Sequence, residues 1–330
     1  MQPEWAGPCS PPRLPPESGR QRLHPLLGKG YLMFDAHLGE FAALATAVCW
    51  TVSSLSFEIA SKQVGSTVVN LLKLCLAFVM LSLYSLIVRG LPFPTDATWH
   101  YWIWLALSGL AGFVLGDLFL FRAFTIVGAR VSMLIMSTAP LLTALIGWVF
   151  LGEHLTPLTL LGIGLTMAGI AVVVLERNPG ERQVRFAHAP VGILLAFGGA
   201  AGQAIGVTLS KYGIGSYDPV AATQIRQLAG AAGLFVVGLM FHSLGRVRPA
   251  LLERRTLQPL LAGSFVGSAL GVSLSLLAVQ HTSAAVASTL MATPPILIIP
   301  AAILVFREKV TGKEAVGALV AVVGAALLFL

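Results

Sequence analysis

Residues 129–175 read ARVSMLIMSTAPLLTALIGWVFLGEHLTPLTLLGIGLTMAGIAVVVL, and residues 284–330 read AAVASTLMATPPILIIPAAILVFREKVTGKEAVGALVAVVGAALLFL. The second stretch is the first displaced by 155 residues (284 less 129), without a gap. Ala129/Ala284, Val131/Val286, Met136/Met291, Thr138/Thr293, Pro140/Pro295, Glu153/Glu308, Thr156/Thr311, Gly162/Gly317 and Gly169/Gly324 are identical. Each copy is an apolar run containing proline, a polar break at a glutamate, and a second apolar run spaced by glycines. A repeat of this length governs every later reading of the chain.

The repeat extends upstream. Ser108, Gly112 and Gly116 map at the same displacement onto Gly263, Gly267 and Gly271. Small residues four apart line one helix face and let two backbones approach. Further upstream the match is weaker, at a displacement of 153 (226 less 73). It pairs Lys73 with Arg226 and sets Glu58 opposite Lys211.

The chain is 56% hydrophobic and 11% charged, where a soluble domain carries about 25% charged residues. So few charges cannot cover a soluble chain of 330 residues, so the surrounding medium is lipid. The net charge of +7 does not point to nucleic acid. Its basic residues sit in short breaks between apolar runs and form no stripe or patch. Cys9, Cys49 and Cys75 make no disulfide framework, and the histidines are too scattered for a metal site.

A spanning helix needs about 20 mainly apolar residues. Ten such runs are present, near 38–58, 67–88, 101–121, 129–151, 157–175, 190–210, 219–242, 257–279, 283–306 and 313–330. The expected fold is all-α: a polytopic membrane protein whose ten transmembrane helices form two inverted five-helix repeats. Residues 1–32 are expected to be a disordered Pro/Arg-rich tail, with Met33 as an alternative start. The first repeat is 33–175, the linker loop 176–189, and the second repeat 190–330.

Five spans is an odd number, so consecutive copies lie upside down relative to each other. The loop charges agree. The loop around Gly152-Glu153-His154 has no Lys or Arg, whereas the counterpart Glu308 lies between Arg307 and Lys309. Thirteen Lys and Arg fall in the loops after runs 1, 3, 5, 7 and 9, and only Arg89 and Lys211 in the alternate loops. By the positive-inside rule this bias puts both termini outside the cell membrane. Inverted repeats are common in secondary transporters, which hold substrate near the midplane.

This pattern resembles the EamA-type members of the drug/metabolite transporter superfamily over about residues 38–330. The signature residues are Leu115-Gly116-Asp117, Phe121-Arg122-Ala123, Ala129-Arg130-Val131, Ala139-Pro140, Leu151-Gly152-Glu153 and Gly162. The second copy keeps Leu270-Gly271, Ala278, Ala284, Val286, Pro294-Pro295, Glu308 and Gly317. It departs at Val272, opposite Asp117, and at Arg307, opposite Gly152. The resemblance implies a transporter and leaves the substrate open. It also implies termini in the cytoplasm, against the charge count.

Ionisable groups in hydrocarbon are costly and should face a cavity or a partner. Arg226 and Lys73 are candidate substrate-binding cations, suited to an anionic or zwitterionic small molecule; the alternative is snorkelling or pairing for packing. Gln227, Gln203 and Trp50 are further candidates to line a cavity. Thr138 and Thr293 are candidate substrate contacts beside the mid-run prolines Pro140 and Pro295, which are candidate kinks or hinges. Asp117 and Glu58 are candidates for proton or cation coupling, with a structural ion pair or simple hydration as alternatives. Glu153, Glu308, Thr156 and Thr311 read as helix punctuation.

No GxxxxGK[ST] loop occurs, which argues against direct ATP drive. No set of catalytic groups converges, so an enzyme is not expected. No cofactor is expected, and the expected partners are the lipid bilayer, a small solute and a proton or cation. A receptor or assembly factor is the rival reading.

Overall fold

The computed structural model describes residues 37–176, 189–294, 296–297 and 311–329. The expected tail 1–32, most of the linker, Pro295, Glu308 and the side chain of Glu58 lie outside the described residues.

Every regular element among the described residues is helical. In order these are α1 (Leu38–Val64), α2 (Ser66–Arg89), α3 (Trp99–Gly109), α4 (Asp117–Met136), α5 (Ala139–Ile146) and α6 (Pro157–Glu176). The second half supplies α7 (Ala189–Ile214), α8 (Pro219–Met240), the short α9 (Val247–Leu252), α10 (Arg254–Gly263), α11 (Val272–His281), α12 (Ala284–Met291) and α13 (Gly312–Leu327). Among the described residues, five spans are long and apolar enough to cross a membrane: Thr67–Arg89, Trp99–Leu120, Pro190–Ile214, Pro219–Met240 and Arg254–His281. Shorter apolar helices cover Leu38–Ser53, Ala139–Leu151, Pro157–Val173 and Ala315–Leu327. Large apolar side chains stand exposed along these helices, among them Ile87 (76%), Phe150 (75%) and Leu194 (71%). Apolar surface on this scale suits lipid rather than water.

The inversion of the repeats is visible in the packing. α6 and α13 are equivalent helices of the two copies, and they pack against each other. A Cβ on Gly162 would lie 2.9 Å from the Gly324 carbonyl oxygen, and one on Gly317 would lie 3.0 Å from the Gly169 carbonyl oxygen. The early glycine of each helix meets the late glycine of the other, so equivalent helices run antiparallel. α2 and α8 repeat the arrangement: Ser85 reaches Gln224, while Leu74 meets Gly230 nearer the opposite end of α2. The remaining helices also pack across the seam. α1 runs along α10 and α11, and its counterpart α7 runs along α3 and α4. A pseudo-two-fold axis therefore relates the halves.

The glycine stripe expected at 108–116 packs on α7: Ser108 and Ser210 hydroxyls lie 3.0 Å apart, and Gly116 faces Gly202. Its counterpart at 263–271 packs on Phe57, Ser53 and Trp50 of α1. Both stripes contain a π-helical turn, Leu110–Gly116 and Ser264–Gly271, at matched positions. Such turns shift the facing of the residues that follow and often mark functional sites.

Two boundaries differ from the sequence reading. The first copy has no break between runs 3 and 4; helix continues through residues 122–128. The second copy breaks at Thr282 and Ser283, where the Ser283 hydroxyl accepts a hydrogen bond from the Val286 N–H and caps α12. The first copy has Gly128 at that position, with no side chain to cap a new helix. Pro140 was expected inside a helix. It instead occupies the first turn of α5, after a turn at residues 137–138, where the missing N–H costs no intrahelical bond.

Candidate functional site

α8 places the principal candidate. Its start is fixed by Asp218, whose carboxylate accepts from the Ala221 N–H at 2.8 Å, and by Pro219 in the first turn. Two turns later comes Arg226. The crossing of α3 over α8 fixes its depth: a Cβ on Gly109 would run into the Arg226 carbonyl. Arg226 is 7% exposed. Its guanidinium lies 5.1 Å from the centre of the Phe113 ring, a cation–π contact across the two halves. Its Nε has no hydrogen-bond partner, and among the described residues no carboxylate pairs with it.

Arg226 borders a cavity of about 250 Å³ on the seam. Trp50, Ser53 and Phe57 reach it from α1, and Lys73 and Leu74 from α2. Phe113 and Asp117 come from the π-turn and the start of α4. The second half supplies Gln203, Val207 and Ser210 from α7, and Gly267, Ser268, Val272 and Ser275 from the π-turn and α11. Many are repeat equivalents: Trp50 with Gln203, Phe57 with Ser210, Lys73 with Arg226, Phe113 with Ser268, Asp117 with Val272. The cavity therefore straddles the pseudo-two-fold axis. At about 30 Å³ per water it has room for roughly eight.

Five sequence candidates meet here: Arg226, Lys73, Asp117, Gln203 and Trp50. Lys73 is held in an ion pair with Asp117, Nζ to Oδ2 3.5 Å, and lies 5.5 Å from the centre of the Phe57 ring. The other candidates are placed elsewhere. Gln227 is fully buried and turns toward the second π-turn, donating to the Ser268 carbonyl at 2.6 Å. Thr138 donates to the Ile135 carbonyl at 2.6 Å, and Thr293 to the Leu290 carbonyl at 2.7 Å. Both threonines close the last turn before a break, and Pro140 is buried at the start of α5. Ser53, Ser210, Ser268 and Ser275 went unmarked in sequence, because a serine in an apolar run gives no signal of which way it faces.

A second polar cluster ties the end of α2 to the start of α8. Arg89 pairs with Asp96 at 2.6 Å and approaches Asp218 at 4.0 Å. The Tyr217 hydroxyl donates to Asp96 at 3.0 Å, and its ring stacks on Tyr101 with centroids 4.5 Å apart. Burial, then the Asp96 carboxylate, pushes the Tyr217 hydroxyl up to about 12, so it stays a donor at neutral pH. Gln224 completes the tie with bonds to Ser82 and the Pro92 carbonyl. The other end of the α2–α8 pair is apolar, with Leu71, Leu74 and Leu234. Glu153 is structural: its carboxylate accepts from the Ala284 N–H at 2.9 Å, at the start of α12. Thr156 caps α6 by accepting from the Thr159 N–H.

Fold and site together define a polytopic membrane protein made of two inverted repeats around a charged central cavity. The chain belongs to the EamA-like transporter family, whose family model matches residues 37–175 and 190–330. A solved crystal structure of a protein superimposes with a TM-score of 0.73, covering 88% of this chain and 95% of its own, at 17% identity. At that identity the likeness concerns the fold alone. No curated protein matches the chain in sequence.

Proposed function

We propose that the protein is a multi-pass plasma-membrane carrier that moves small polar organic solutes by alternating access between its two inverted halves. The observation that carries this reading is the cavity on the pseudo-two-fold axis, walled by both halves and holding the buried Arg226. A pocket shared by two antiparallel repeats can be exposed to either side by rocking one half on the other. The α2–α8 pair, ionic at one end and apolar at the other, supplies two unlike closures for such rocking. Asp117, the carboxylate on the cavity wall, is the group through which a proton or cation would be coupled to transport. The loop charges favour both termini outside.

Counterflow in proteoliposomes tests the reading. Unlabelled solute trapped inside should drive transient accumulation of the same labelled solute from outside. Amino acids, small organic acids and small amines form the panel. A receptor or assembly factor gives no counterflow with any of them. A reporter fused at the C-terminus tests the orientation, and a cytoplasmic signal would reverse it.

A further inference from the structure

The two halves of the cavity carry the same frame and different charges. In the first, Lys73 faces the cavity and Asp117, first residue after the π-turn, neutralises it at 3.5 Å. In the second, Arg226 faces the cavity and Val272 is the first residue after the matching π-turn. The carboxylate of the first half has no counterpart in the second. Asp117 is the only carboxylate lining the cavity among the described residues, so the lining carries one net positive charge. Arg226 is 7% exposed, its Nε is unpartnered, and its guanidinium lies 5.1 Å from the centre of the Phe113 ring. An uncompensated buried charge is expensive and is tolerated where a ligand completes it.

We infer that the cavity takes a singly charged organic anion, a small monocarboxylate, whose carboxylate docks on Arg226 as Asp117 docks on Lys73. A planar carboxylate matches the guanidinium fork. One negative charge neutralises the lining, whereas a dicarboxylate leaves an excess of opposite sign. The volume of about 250 Å³ accommodates a small solute of this class. Val272 is thereby a specificity-determining position: it leaves open the place of the missing carboxylate. This inference rests on the carrier reading and names the solute class of the same site.

The test is thermal stabilisation of the purified full-length protein. Wild type should be stabilised by lactate, at least 10-fold less effectively by succinate, and not by lactamide, which keeps the shape and lacks the charge. Val272→Asp installs the internal counter-ion and should abolish the lactate response. Val272→Asn, similar in size but uncharged, separates charge from bulk and should respond to lactate more strongly than Val272→Asp. Equal responses to lactate and lactamide in wild type overturn the inference whatever the variants do. A Val272→Asp protein that is monodisperse and still responds to lactate overturns it as well. If counterflow then succeeds with an amine or neutral solute, the carrier reading stands without the anion. If no solute gives counterflow, the carrier reading itself falls.

Discussion

In the first half of the cavity wall a cation and a carboxylate close on each other; in the second a cation stands alone. Lys73 with Asp117, and Arg226 with Val272, occupy matched places on one duplicated frame. The α2–α8 pair shows the same divergence at its ends, with Arg89, Asp96 and Tyr217 at one and Leu71, Leu74 and Leu234 at the other. Duplication supplied a symmetric scaffold, and substitution made its chemistry one-sided. A fully symmetric lining would either neutralise both cations or leave both bare. The asymmetric one combines a half whose opposite charges pair with a half whose cation has no carboxylate beside it among the described residues.

The comparison can be broken most severely by making the first half like the second. Asp117→Val leaves the part-buried Lys73 without its carboxylate; removing one partner of a fully buried pair costs about 3–5 kcal/mol, an upper bound for this part-exposed one. Denaturation in detergent should register a loss within that bound, and adding Lys73→Met should recover most of it. If the single variant is as stable as wild type, Lys73 reaches water and the halves do not differ as described. A smaller change probes the ends of the α2–α8 pair. Tyr217→Phe removes one hydrogen bond to Asp96, worth about 1 kcal/mol. It should loosen the ionic end alone, read as faster hydrogen exchange at residues 89–96 and 215–219. Exchange that rises equally at the Leu71–Leu234 end would show that the ends are not independent.

Much of the fold was legible because the repeat states it twice. Gly162/Gly317 and Gly169/Gly324 were legible in sequence as repeat positions, and the count of ten runs gave the odd-numbered unit; that these glycines form the close antiparallel contact of α6 with α13 came from the structure. The break between runs 3 and 4 was misplaced because the basic residues Arg122 and Arg130 read as an interruption. Without a capping side chain, backbone hydrogen bonding carries helix through them. The charged members of the cavity were legible too, since an ionisable residue deep in an apolar run is conspicuous. Gln227, Thr138 and Thr293 were equally conspicuous as polar residues. Their partners, the carbonyls of Ser268, Ile135 and Leu290, are backbone atoms that no sequence pattern reveals. The departure at Val272 was readable as a mismatch between copies. Its meaning required the geometry that sets Lys73 beside Asp117.

The most direct test is solute uptake by Arg226→Ala and Arg226→Lys proteoliposomes, with protein content and thermal stability matched to wild type. Losing the charge-assisted contact of a buried cation costs about 2–5 kcal/mol. Arg226→Ala should therefore lower uptake by roughly 30-fold or more, and Arg226→Lys should restore part of it by returning the charge without the fork. Uptake by a folded Arg226→Ala protein at the wild-type rate would show that the cavity on the seam is not where the solute binds.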